Sequence, residues 1–320
     1  MSVSAHPHRL PNNYWRPSGP VDVVIGYPLG GGSDIVGRPI LEELSDVWGV
    51  PIHVHNRPGS NGVLTAIEIA DADPDGHTVL LGHASSNAVA PAFLSDPETI
   101  AKIEALKSIS RLATQAHVLI LKPGAGQVDL GQFIEAARAA KRPVAYGSTG
   151  HGSMQQIIAE RFFRHSALRA THHPYLGSTP AMADLRAGKI DCIFEGLVPA
   201  MPFIEDGVFQ AIALSSRQPT TNLSIPTLSD LGYPDFDMRS WWGLFAPKDT
   251  PSLIVGGWYQ GLRAAVHRSG LGQFTQRIGF ELALNTPREF DRFIISERLK
   301  YAQSASFLDL KMAANEFSAL

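Results

Sequence analysis

One order of segments recurs along this chain and confines it to a narrow set of folds. A short β-branched run is followed by a loop of glycines and hydroxyls, then by a stretch with helical periodicity. Val21 to Ile25 reads as a strand, and Ile35, Val36, Ile40, Leu41, Leu44 and Val47 mark a helix over Asp34 to Trp48. Val50 to His55 is the next strand, "NRPGSNG" (Asn56 to Gly62) a turn, Val63 to Ala72 a helix, and Thr78 to Leu81 a third strand. After a strand at Val118 to Leu121 the order resumes. Helices at Leu130 to Ala140, Met154 to Arg164 and Ala181 to Ala187 alternate with strands at Val144 to Tyr146, Thr171 to His173 and Asp191 to Phe194. This alternation predicts an α/β fold with mostly parallel sheets covered by helices on both faces.

At 320 residues the chain is long enough for two domains. Two stretches, His117 to Ala125 and Trp241 to Pro251, each carry an apolar strand into a corner of Pro and Lys. They stand at the two ends of the second series, and a pair of strands bracketing an inserted unit makes a hinge. The expected organisation is a discontinuous first domain, 20–121 plus 246–320, and an inserted second domain, 122–245. Trp241 and Trp242 are expected to pack the faces of that hinge. A last helix, Glu289 to Ser306, and the stretch to Leu320 are expected to close over the first domain, whereas His6, Pro7 and His8 read as part of a loose terminus.

Charge and cysteine content exclude several classes of function. Lys and Arg number 27 against 30 Asp and Glu, for a net charge of −3, and they are scattered, so no nucleic-acid partner is expected. No window reaches the ~18 consecutive apolar residues that would span a bilayer. Cys192 is the single cysteine, which excludes an internal disulfide and a Cys-based zinc site; its apolar surroundings predict a buried, inert thiol. Residues 1–20 lack the basic and apolar regions of a secretory signal. The expectation is therefore periplasmic if a leader has been removed, and cytoplasmic if the chain is as translated.

The loops carry the chemistry. In "VIGYPLGGGSDIVGRP" (Val24 to Pro39) three glycines let backbone approach a ligand, and Ser33 and Asp34 open the next helix. Free N–H groups and the positive dipole end at a helix N-terminus suit a carboxylate or phosphate. A Rossmann fingerprint fails, because Ile35 stands where a glycine is needed; a Walker loop fails, because Arg38 and Pro39 replace its Lys and hydroxyl. A tight turn capped by Ser33 explains the loop equally well at this level. "YGSTGHGSMQQ" (Tyr146 to Gln156) repeats the arrangement in the second series, with Ser148, Thr149, Ser153 and the N–H groups of Gly150, His151 and Gly152. "HASSNAVAP" (His83 to Pro91) and "HHPYLGSTPAMADL" (His172 to Leu185) repeat it once more in each half. In open α/β sheets ligands lie beyond the carboxyl ends of strands, where all four loops fall.

Seven ordered segments, "GYPLGGGSDIVGR", "NRPGSNG", "DPDGHTVLLG", "YGSTGHGS", "HPYLGSTPAMADLRAGKIDCIFEGL", "IPTLSDLGYPDFD" and "WWGLFAPKDTP", mark a resemblance that runs from about Pro20 to about Glu297. With them the chain resembles the periplasmic solute-binding proteins of tripartite tricarboxylate transporters, the Bug or TctC-type family. The resemblance implies a two-domain Venus flytrap of periplasmic-binding-protein type, with a two-strand hinge and a ligand cleft between the domains. It implies a small carboxylate ligand, delivery to a membrane permease, a monomer, and no metal or organic cofactor. Carried over by position, it implies ligand binding by Tyr27, Gly31, Gly32, Ser33 and Asp34, and by Ser85, Ser86 and Asn87. In the second half it implies Ser148, Gly150, Gly152, Ser153, Tyr175, Gly177 and Ser178, and the acidic Glu195.

Three positions depart from the family pattern. Gly26 precedes Tyr27 where a Pro is usual, Leu176 stands where a Lys is common, and His151 replaces a small apolar residue. His151 joins the expected ligand contacts. Together with the absent leader it supports a second reading, a cytosolic flytrap used as a metabolite sensor or as a cofactor-free isomerase, hydratase or hydrolase. In that reading His151 and Glu195 are the acid and base. Ser148 and Ser153 lie outside a Gly-x-Ser-x-Gly elbow, and His172 and His173, adjacent on a strand, point to opposite faces and make no metal pair.

Overall fold

The computed structural model describes residues 14–308, except 125, 127, 219–223, 235 and 269–270. His6, Pro7 and His8 and the stretch from 309 to Leu320 lie outside the described residues. The first half opens with β1 (Val21–Ile25), α1 (Gly32–Trp48), β2 (Ile52–Asn56), α2 (Val63–Ala70) and β3 (Thr78–His83). A π-helical turn (Ser85–Val89) leads through α3 (Ala90–Phe93) and α4 (Pro97–Ala105) into β4 (Lys107–Leu121). Then follow α5 (Leu130–Ala139), β5 (Val144–Ser148), α6 (Met154–His165), β6 (Ala170–Pro174), α7 (Ser178–Arg186), β7 (Cys192–Gly196), α8 (Leu197–Glu205) and β8 (Gln210–Leu214). The last described elements are β9 (Arg239–Ala246), α9 (Ser252–Arg268), α10 (Leu271–Ile278), β10 (Glu281–Leu282) and α11 (Pro287–Leu308).

Two parallel trios, β2-β1-β3 and β7-β5-β6, form the flanks of one sheet, as the strand-helix alternation requires. Antiparallel pairing enters through the strands between them. β9 pairs with β3 and with the first part of β4, Lys107 to Ala116; the rest of β4, His117 to Leu121, pairs with β7 and β8. One long strand thus runs from one half of the molecule into the other. The sequence predicts only its last four residues as strand. Ser108, Ser110, Gln115 and His117 interrupt the apolar pattern that would reveal the remainder, yet all four are buried.

Helices cover the sheet because each presents an apolar stripe. Val36, Ile40, Leu41, Leu44 and Trp48 of α1 pack with Trp258 and Leu262 of α9 on one face of the first trio. Ala181, Leu185, Leu197 and Met201 of α7 and α8 cover the second trio and β4. α1 stops at Gly49, whose left-handed backbone (φ 70°) turns its N–H back to the Ser45 carbonyl. Trp241 and Trp242 point to opposite faces of β9: Trp241 meets Phe290 and Phe293 of α11 edge-on, while Trp242 faces the cleft side. Cys192 is buried and its thiol is pushed well above its ordinary pKa by burial. Among the described residues no helix is long and apolar enough to cross a membrane.

Candidate functional site

A cavity of about 310 Å³ opens between the two halves, at the carboxyl ends of β1, β3, β6 and β7. Its first wall is the β1–α1 loop. The helix α1 begins on Gly31, which has no side chain to cap it, so the first-turn N–H groups have no side-chain acceptor from the N-cap. Gly31, Gly32 and Ser33 line the cavity at that point. Asp34 is committed elsewhere: it accepts from Gly30 N (3.0 Å), Arg38 Nε (2.7 Å) and Asn56 Nδ2 (3.1 Å), fastening the loop to β2. Ser33 Oγ accepts from Trp242 Nε1 at 2.8 Å, so the cleft-facing tryptophan braces the loop from behind. Gly26 answers the first departure from the family pattern. A Cβ there would lie 2.5 Å from Gly62 Cα, so the end of β1 passes too close to the 59–62 turn for any side chain.

His83 and Tyr27 complete this wall. The Tyr27 hydroxyl donates to Asn61 O (2.6 Å), and His83 Nδ1 accepts from Ser85 N (3.1 Å). An Nδ1 that accepts leaves the ring proton on Nε2. Burial pushes the His83 pKa down to about 3, so the ring is a neutral donor at physiological pH.

The opposite wall comes from α7 and β7. Gly177 (φ 100°) is the N-cap of α7, again with no side-chain cap, and Gly177, Ser178 and Thr179 line the cavity. Glu195, 1% exposed, sits against this helix end. Its Oε1 accepts from Gly196 N (2.7 Å), Ser178 Oγ (2.9 Å) and Gln155 Nε2 (3.4 Å). Among the described residues its Oε2 has no hydrogen-bond partner. Burial outweighs the three donors and pushes the carboxyl up to about 7. The floor is formed by β4 and β9. Gln115 Oε1 accepts from Val198 N (3.0 Å), and His117 Nε2 lies 3.3 Å from Ser240 Oγ while its Nδ1 has no partner. Burial, reinforced by nearby His83, pushes His117 down to about 3. No Lys or Arg is among the cavity-lining residues.

The cavity therefore gathers seven of the predicted residues: Tyr27, Gly31, Gly32, Ser33, Gly177, Ser178 and Glu195. The structure puts the others outside its lining. Ser148, Gly150, His151, Gly152 and Ser153 form a loop whose groups bond to one another. Ser148 Oγ accepts from Gly150 N (3.1 Å), Gln156 Oε1 from Gly152 N (2.7 Å), and Ser153 Oγ from Gln156 N (3.3 Å). The His151 ring stands edge-on to His172. This loop meets the first half instead: Asn61 Nδ2 donates to His151 O (2.6 Å), and Met154 N to Ser85 Oγ (3.2 Å). Ser86 Oγ bonds to Asn87 Oδ1 (2.6 Å), and the Tyr175 hydroxyl to Asp184 (3.1 Å).

Thr149, whose hydroxyl the sequence offers in the second glycine loop, does line the cavity, whereas Gln115, His117, Gln155, Leu176, Ser240 and Trp242 line it with no place in the predicted set. Gln115 and His117 carried a readable signal, two polar residues within the run "LATQAHVLIL" that extends the β4 strand. Among the described residues no group of three or more His, Cys, Asp or Glu is arranged to hold a metal ion.

Two α/β halves joined by hinge strands, with a cavity enclosed between them, define a solute-binding protein of the periplasmic-binding type. The chain belongs to the tripartite tricarboxylate transporter family of receptors, whose family model matches residues 36–304. Protein BugT of Bordetella pertussis is 27% identical over 287 residues, covering 89% of this chain and 88% of BugT. Among solved structures, a periplasmic transporter is 29% identical with a TM-score of 0.85, covering 92% of this chain and 99% of its own. MatC from Rhodopseudomonas palustris with bound malate is 26% identical with a TM-score of 0.82, covering 90% and 99%.

Proposed function

We propose that this protein binds a small carboxylate-bearing organic compound in the cavity between its halves. In this reading it is the periplasmic, monomeric solute-binding component of a tripartite tricarboxylate-type uptake system and delivers that compound to a membrane permease. The observation that carries the reading is the uncapped N-terminus of α1 opening into the cavity beside a neutral His83 donor. Backbone N–H groups, the helix dipole and an Nε2–H together make a carboxylate site without a formal cation. Malate bound to the similar MatC supports a carboxylate ligand.

Closure follows from the same frame. In this reading the inserted unit, expected over 122–245, moves against the first, and the hinge lies where β4 passes from β9 to β7 near Ala116 and His117 and in the segment entering β9. The Asn61–His151 and Ser85–Met154 contacts then hold the closed form. Acid-base chemistry by His151 and Glu195 would need both side chains in one cavity, and His151 packs on His172 outside the lining.

The test is to incubate the protein with a panel of mono- and dicarboxylates, following melting temperature and the proton NMR spectrum of each compound. A compound that raises the melting temperature and stays chemically unchanged is the expected result. Protein-dependent consumption of a compound, or no stabilisation by any carboxylate, overturns the reading.

A further inference from the structure

The two uncapped helix ends that line the cavity are not equally free. At α1 nothing negative faces the first turn from the cavity, since Asp34 is turned back onto Gly30, Arg38 and Asn56. At α7 the protein's own Glu195 carboxyl stands beside the helix end, its Oε1 taking Ser178 Oγ and, from the start of α8, Gly196 N. Its second oxygen, buried in the cavity wall, has no partner. Leu176, largely exposed, lines the cavity, and none of the described residues lining it is a Lys or Arg. His83 and His117 stay neutral. A dianion entering this cavity would meet no cation, and at the α7 end its second carboxylate would stand beside the buried Glu195 carboxyl.

Resting on the carboxylate reading above, we propose that the ligand is an amino-carboxylate, its carboxylate on the Gly32 and Ser33 end of α1 and its protonated amine on Glu195 Oε2. An ammonium there supplies the hydrogen bonds that Oε2 lacks and the charge that the cavity lacks. Glu195 then acts as the specificity residue of the site: it rejects the dicarboxylate of equal length and selects the zwitterion.

The test uses two length-matched sets in calorimetry at neutral pH: butyrate, 4-aminobutyrate and succinate, and hexanoate, 6-aminohexanoate and adipate. Wild-type protein is expected to bind the amino-carboxylate of at least one set about tenfold or more tighter than its dicarboxylate partner. Glu195→Gln is expected to reverse that order. If the variant does not fold, the wild-type preference alone decides. Tighter wild-type binding of the dicarboxylate, or an order unchanged in Glu195→Gln, overturns the amino-carboxylate assignment and leaves the carboxylate reading standing. Failure of all six compounds to bind overturns both.

Discussion

The two glycine loops, residues 28–33 after β1 and 148–153 after β5, look alike in sequence and do opposite things. Each follows a buried strand, opens a helix and carries a serine near the helix start. In the first, the N-cap is Gly31 and no side chain caps the first turn; Asp34 takes Gly30 N and Pro28 O takes Gly31 N, which leaves the Gly32 and Ser33 N–H groups for the cavity. In the second, the N-cap is Ser153, which takes Gln156 N, while Gln156 takes Gly152 N and Ser148 takes Gly150 N. Its donors are used internally, and the loop presents a carbonyl, His151 O, to Asn61 of the other half. A glycine loop at a strand end is an anion site only when its own side chains leave the N–H groups unpaired. In the function proposed above, the first loop is the grip and the second the clasp.

The contrast breaks first at Gly32. A Cβ there would stand 3.3 Å from Trp242, and the branches of a valine would sit over the first turn. Gly32→Val is expected to abolish carboxylate-induced stabilisation, about a hundredfold loss or more, with an unchanged circular dichroism spectrum. Retained binding would move the grip elsewhere.

The next effect is on pH dependence. Glu195 titrates at about 7 in the folded protein against an ordinary 4.5, so between those values the folded state holds the extra proton. Its contribution is fully present below 4.5 and is lost as pH rises through 7, at most about 3 kcal/mol. His83 and His117, held at about 3, act the other way, and their contribution is lost as pH falls from 6.5. The stability of Glu195→Gln minus that of wild type isolates the carboxyl. That difference is expected to rise from pH 4.5 to pH 7 in urea titrations, and a flat difference would remove the buried, unpaired carboxyl from the cavity wall.

Smaller effects separate clasp from grip. Ser153→Ala should cost about 1 kcal/mol of stability through the lost cap and leave carboxylate affinity within about threefold. An affinity loss as large as that of Gly32→Val would erase the distinction between the loops. Asn61, at φ 51°, sits in the left-handed region, where glycine is comfortable. Asn61→Gly therefore removes the bond to His151 O without new strain and should speed ligand release about fivefold, measured by stopped flow. An unchanged release rate would deny the clasp.

Much of this was legible in the sequence, for physical reasons that also mark where legibility stops. The α/β alternation was readable because helical and strand periods differ, and Gly31, Gly32, Ser33, Gly177 and Ser178 because ligands gather at strand ends. The 15-residue β4 was hidden, since Ser110, Gln115 and His117 look like loop residues until their buried partners are known. The family resemblance places Ser148 and Ser153 among the expected ligand contacts and His151 joins them as a departure from its pattern; none of the three lines the cavity. Whether a hydroxyl faces a ligand or caps its own helix depends on rotamers and on neighbours 3–24 residues away, such as Gln156 and His172, which a motif does not encode.

The most direct test is a crystal structure with the tightest-binding carboxylate from the panel. Carboxylate oxygens within about 3 Å of the Gly32 and Ser33 nitrogens are the expected result. A carboxylate seated on Gly150 to Ser153, with the α1 end left to solvent, would contradict the division between grip and clasp.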